Sequence, residues 1–335
     1  MQLNKIEICL IILLIGYNMS WFDYIKEHPD KKWNYYKICG NPNITWDDVE
    51  ANPDKPWHYG VLNNNPNITW DIIKANQDKL GKYKPHLNPN ITWDIVEKNP
   101  DIDWDYYYLS SNPNITWDII KSNLNKKWCK QGLSKNPNIT LDNIKTMSDL
   151  KISASLNEFW NFNFWDWNVI SRHPNITWKH VQENQHCLWS YMNLSLNPNI
   201  TWDIIESNSH YPWDYEFICR NPNITWDIVK ANPDKDWKYY ALSNNPNITW
   251  DIVEENPDRP WEYGNLSENP NITLDIVESN PDRPWDYRRL SINPNITWDI
   301  VESNLDKPWC FDMLSQNKMS KHPHFQNQQL SYVFK

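Results

Sequence analysis

The stretch NPNITLDIVESNPDRPWDYRRLSI, residues 269–292, contains every element on which the fold turns. Its opening phrase, Asn-Pro-Asn-Ile-Thr, begins at Asn41, Asn65, Asn88, Asn112, Asn136, Asn197, Asn221, Asn245, Asn269 and Asn293, and returns as His-Pro-Asn-Ile-Thr at His173. Nine of the ten intervals between copies are 24 residues, give or take one. A fixed period of this size marks stacked units, each too small to bury its own apolar face.

Inside the stretch, Thr273 stands where a helix N-cap belongs, its hydroxyl placed to accept from a backbone N–H one turn on. Ile272 and Val277 have the spacing of a hydrophobic staple, and Asp275 faces the positive end of the helix dipole. Pro281 biases Asn280 away from helical geometry, which predicts a first helix of about seven or eight residues. A second helix is expected from Asp282 and Pro284 onward, with Pro284 in its first turn and Trp285, Tyr287 and Leu290 supplying apolar surface. Helices this short are marginal alone, so packing between units must hold them. Each buried aromatic removes about 150–250 Å² from water, worth roughly 4–6 kcal/mol before entropy.

The predicted fold is therefore an all-α solenoid of about eleven 24-residue helix-turn-helix repeats plus a leading half repeat. Two slots account for most of the 23 Trp residues. The first-helix slot is filled at 46, 70, 93, 117, 178, 202, 226, 250 and 298, and the second at 57, 104, 128, 165, 189, 213, 237, 261, 285 and 309. Only 6 Gly against 24 Pro argues against β-rolls and parallel β-helices, whose tight turns lean on Gly.

The array spans residues 20–316, with irregular units at 65–87 and 136–172. In the first, Leu80, Lys82 and Pro85 replace Trp, Tyr and Leu, and Gly81 weakens the helix, which predicts fraying and a bend. In the second, about 13 extra residues near 148–161 predict an added helix or a bulging loop. Residues 1–19 form an apolar leader whose run at 6–16 is too short to span a bilayer. It reads as a signal-like or membrane-associated segment, or as a helix capping an open end. Residues 317–335 read as a polar tail.

The array resembles the Trp-rich tandem-repeat proteins of giant DNA viruses of the mimivirus type, which carry many Asn-Pro-Asn-Ile-Thr-Trp-Asp phrases. The likeness covers about residues 20–316. It implies a viral protein and brings no activity with it.

Composition and spacing narrow the function classes. A net charge of −10 with no basic run disfavours nucleic acid. Six Cys at scattered positions, with no Cys-x-x-Cys, give neither a zinc site nor a disulfide framework. Each Asn-Ile-Thr is formally a glycosylation sequon, but a turn and an N-cap already explain both residues. The Asp after each Trp recurs in equivalent surroundings, whereas acid–base chemistry needs two carboxylates in differing ones. The nine His share no spacing, and no phosphate loop is evident. No catalytic residue, metal ligand or cofactor is assigned.

What varies is the pair of residues before the second-helix Leu, such as Glu216-Phe217 and Tyr240-Ala241. Free variation there is either plain surface or a partner-binding face; solenoids bind along one extended face, and Tyr, Phe and Arg are favoured anchors. Tyr107, Tyr108, Phe217, Tyr240, Arg288 and Arg289 are the candidate protein-binding residues. The expected role is a non-enzymatic scaffold for protein–protein interaction, in the host cytoplasm or virion, or secreted if the leader is a signal. A secreted or virion-surface carbohydrate binder that offers Trp platforms is the alternative.

Overall fold

A computed structural model describes residues 20–81, 85–149 and 165–319. The leader and the 13-residue excess of the long unit lie outside these residues, apart from the end of the helix Leu141–Asp149. Among the described residues there are 23 helices, of four to nine residues each, and no strand. The chain is the helical repeat solenoid that its period predicts.

Each unit begins at its Asn-Pro-Asn turn. Thr caps a first helix such as Leu274–Ser279, where the Thr273 hydroxyl accepts from the Ile276 N–H. The helix stops at Asn280, whose side-chain amide bonds back to the Ile276 carbonyl at 2.9 Å. The second helix is shorter than its Pro suggests. It spans Tyr287–Leu290, with the Asp286 carboxylate accepting from the Arg288 and Arg289 N–H groups. Pro284 and Trp285 lie before it because the indole closes the turn between the two helices. A tight bend (Trp285 N to Arg283 O, 2.8 Å) folds the ring back, and its Nε1 donates to the Asn280 carbonyl at 2.9 Å. The same indole bond recurs from Trp57 to Asn52, Trp128 to Asn123 and Trp261 to Asn256.

Units are joined by the Asn that opens the phrase. Asn221 is buried, and its Nδ2 donates to the carbonyls of Ser195, Asn197 and Ile200 in the two units before it at 2.9, 3.0 and 3.1 Å. Its Oδ1 accepts from the Asn223 N–H. His173 fills both roles with its two ring nitrogens, facing the Asn136 carbonyl at 3.3 Å and the Asn175 N–H at 3.2 Å. The third residue of the phrase adds a second link, as where the Asn223 amide donates to the Pro198 and Ile200 carbonyls. The Asn of every Asn-Ile-Thr from 43 to 295 spends its side-chain donor this way.

Apolar contacts run in parallel. The first-helix indole of one unit packs on the second-helix indole of the next, with Trp202 to Trp237 at 5.3 Å and Trp250 to Trp285 at 5.6 Å between ring centroids. The second-helix Tyr meets that same indole edge-on, as in Tyr263 to Trp285 at 5.1 Å and 80°.

The stack is not open. Residues 20–40, expected to be half a repeat, contain both helices, Trp21–Glu27 and Tyr35–Gly40. That makes twelve units, of which only the unit at 65–87 lacks a second helix among the described residues. Unit 12 packs on unit 1 through the contacts that join any two neighbours. The Asn41 amide donates to the Ser315 and Asn317 carbonyls at 3.2 and 3.0 Å, and Asn43 donates to Lys318. The Asn34 N–H donates to Ser315 Oγ at 2.9 Å, as the Asp286 N–H does to Ser267. Phe311 takes the Tyr place against Trp33 at 5.1 Å and 85°. The array is a closed ring rather than a rod with capped ends.

The repeat bonding also passes Gln316. Asn317 is buried and donates to Ser291, Asn293 and Ile296, and Met319 behind it is fully buried. Contacts peculiar to the seam are the pairs Lys37–Asp312 at 2.7 Å and His28–Glu302 at 2.9 Å, and the stack of Trp21 on Trp298 at 6.1 Å. Lys37 and Asn34, both bonded to Asp312, hold its carboxyl below the usual range.

If the buried Asn is the joint, Asn221→Ala strands the Ser195 carbonyl and the Asn223 N–H, takes one bond each from the Asn197 and Ile200 carbonyls, and lowers stability by about 1–3 kcal/mol, whereas Asn223→Ala at the exposed link costs less. Guanidinium unfolding of the two variants measures this, and equal losses would contradict it.

Candidate interaction surface

The side on which a variable residue lies follows from the curvature. The closest helix–helix approaches among the described residues are all between second helices of adjacent units, such as Tyr35–Gly40 with Tyr59–Leu62, and Tyr263–Glu268 with Tyr287–Leu290. Among the described residues no pair of first helices packs as extensively. In a closed ring the nearer layer is the inner one, so second helices line the hole and first helices form the rim outside them. With neighbouring units roughly 8–9 Å apart along this layer, twelve of them enclose an opening of about 20 Å once helix thickness is subtracted.

The helical period then assigns faces. In Tyr239–Leu242 and its counterparts, the Tyr, Leu and following Ser point outward to the core. The two residues before the Leu, and the one after the Ser, face the opening. Five of the seven exposed large apolar side chains occupy these places: Tyr36, Leu87, Tyr108, Met192 and Tyr240, with Tyr36 at 61%. Leu188 and Leu305 lie elsewhere.

The six candidate residues are thus on one wall, but not in one patch. Phe217, Tyr240, Arg288 and Arg289 fall on a continuous arc of units 8 to 11. The Tyr240 hydroxyl donates to Glu216 Oε2 at 2.6 Å, and that bond raises its pKa above the ordinary phenol value. The Asn265 amide donates to the Tyr240 carbonyl at 2.6 Å, and Arg289 reaches Asn265 in turn. Tyr107 and Tyr108 lie four units earlier. Their rings meet edge-on at 5.0 Å, the Tyr107 hydroxyl bonds Gln131 at 3.3 Å, and Tyr108 lies parallel to His86. Arg288 is exposed; Phe217 and Arg289 are half-buried.

The second of the two variable positions is less free than its variation suggests. Ala241 is fully buried, and a Cβ on Gly132 would stand 2.5 Å from the Tyr107 carbonyl oxygen. Small residues there let neighbouring second helices touch. Tyr36, Leu87 and Met192 were not singled out by sequence reasoning; their distance from the Leu slot was the signal that could have found them.

Other chemistry is sparse among the described residues. No group of three or more His, Cys, Asp or Glu converges as a metal site, and no helix is long and apolar enough to cross a membrane. Shallow grooves of about 730 and 320 Å³ lie between units 4 and 5 and between units 11 and 12. Both are lined by framework residues that recur in most units, such as Trp104 and Trp285, so neither is singular. Cys39 and Cys219 take the Ser place and accept the His58 and Lys238 N–H groups at 3.2 Å. Burial pushes both thiols up to about 11. No described Trp is exposed. Comparison with family models, curated proteins and solved structures finds no match.

Native protein should therefore shield its indoles: iodide should quench little of the Trp emission until denaturant is added. Ready quenching of the folded protein would contradict this packing.

Proposed function

We propose that the protein is a non-enzymatic ring scaffold that binds another protein on the wall formed by its second helices. The observation that supports this reading is the gathering of exposed Tyr, Met and Leu side chains on the inner wall of the ring, since exposed apolar side chains gathered on one face mark interaction sites. Tyr and Arg on that wall are residue types that dominate binding energy when a partner desolvates them. The repeated Asp residues fit a structural role, because they recur in equivalent exposed places at the first-helix N-terminus, and several pair with a Lys on the same helix, as Asp71 does with Lys74 and Asp227 with Lys230 at 2.9 Å. The resemblance to the Trp-rich arrays of giant DNA viruses belongs to the same proposal and is supported by the recurring phrase alone.

Photo-crosslinking tests the reading. A benzophenone side chain placed singly at Tyr36, Tyr108 or Tyr240 should capture the same cellular protein, while placement at Asp71 or Asp227 on the outer helices should not. Capture from the outer positions alone would contradict the assignment. Where a partner is caught, Tyr108→Ala and Tyr240→Ala should each weaken binding by about 1–2 kcal/mol, read by titration.

A further inference from the structure

The inner wall differs from the rest of the molecule in charge as well as in apolar content. The chain carries a net −10, and the outer first helices present Asp and Glu in unit after unit. Among the described residues the positions facing the opening reverse this balance. Three of their cations are matched by carboxylates on the same wall or at its seam: Lys37 by Asp312 at 2.7 Å, Arg220 by Glu216 at 2.9 Å, and Arg289 by Glu268 at 3.6 Å. Lys135, Arg172 and Arg288 are exposed there, and no ion pair is found for them among the described residues. The carboxylates at the second-helix N-caps, such as Asp214 and Asp286, sit at one rim and are bonded to backbone N–H groups.

We infer that the opening binds an acidic polypeptide segment with interspersed apolar side chains, no thicker than one helix. This rests on the reading of the inner wall as the binding surface and names the chemistry of its partner. The exposed Tyr, Met and Leu side chains supply the apolar contacts, and Lys135, Arg172 and Arg288 supply charge to a partner that the acidic exterior would repel. The width follows from the ring, since an opening of about 20 Å admits a helix of 10–12 Å with its side chains or an extended chain. A nucleic-acid strand fits less well. Its evenly spaced phosphates want a run of cations, whereas Glu216, Glu268 and Asp312 interrupt this one. The flanks of the chain itself lack the chemistry: residues 1–19 hold one Lys and one Glu, and 320–335 hold two Lys and no acid.

Fluorescence anisotropy with the full chain decides between these occupants. The probes are a labelled sixteen-residue peptide repeating Glu-Leu-Asp-Tyr, its counterpart with Lys for each acid, and a sixteen-base oligothymidylate. The acidic peptide should bind at least about tenfold more tightly than the other two, and more weakly as salt is raised. Joint replacement Lys135→Glu, Arg172→Glu and Arg288→Glu should weaken it about tenfold or more. The control Lys74→Glu, Lys121→Glu and Lys230→Glu changes net charge equally on the outside and should leave binding within about twofold. Circular dichroism of both triple variants confirms that they fold. Equal binding of the basic peptide or the oligonucleotide, equal effects of the two triples, or no binding of the acidic peptide would overturn the inference. Cross-links from Tyr36, Tyr108 and Tyr240 to a partner without acidic segments would sink it while leaving the scaffold reading intact.

Discussion

Each second helix ends with carbonyl oxygens that point into protein rather than water, and the first Asn of the following units' turns is the group that reaches them. Asn269 spans the Ser243, Asn245 and Ile248 carbonyls at 2.9, 3.0 and 3.2 Å while its own oxygen holds the Asn271 N–H. Buried backbone groups must be bonded somewhere, and helices of four to six residues cannot satisfy their own ends. The carboxamide therefore does for the inner layer what a β-ladder does for a sheet. It fixes register, because a slip by one residue would bring Pro, which has no donor, to the place of Asn.

Curvature follows from the difference between the two layers. On the inside, units meet through amide-to-carbonyl bonds and small residues such as Gly132 and Ala241, which hold neighbours close. Outside, six junctions hold an indole pair with centroids more than 5 Å apart, as between Trp226 and Trp261. A unit thin on one side and thick on the other is a wedge, and twelve such wedges that close a circle turn about 30° each. Closure gives the end units the same neighbours as the rest, so neither apolar end is left for a special cap to cover.

Much of this was legible in the chain. The period, the Thr cap, the staple formed by Ile272 and Val277, and the two Trp slots all follow from local chemistry, and the helical solenoid follows from them. The start of the second helix was not legible, because Pro284 suits a first turn equally well. What placed it before the helix was the indole bond from Trp285 back to Asn280, a side-chain contact that propensity alone does not reveal. The buried state of Asn41, Asn65 and their equivalents was hidden because a turn alone accounts for Asn. Closure was harder still: it is a property of the summed angle, which no single unit encodes. Its traces were the complete helix pair in residues 20–40 and an Asn at 317 that keeps the 24-residue step after Asn293. On the wall, distance from the Leu slot found Tyr108 and Tyr240, but the constraint on Ala241 and Gly132 required knowing which helices touch.

The seam offers a direct measurement with the unaltered protein. Lys37 Nζ and Asp312 Oδ2 are 2.7 Å apart across it, and Lys307 Nζ and Glu278 Oε1 are 3.0 Å apart across an ordinary junction. A water-soluble carbodiimide, which joins an amine to a carboxylate without a spacer, should form both amides within single chains at high dilution. Peptide mass spectrometry would find each. If the Lys307–Glu278 amide forms and the Lys37–Asp312 amide does not, the stack is open and the closed ring is wrong.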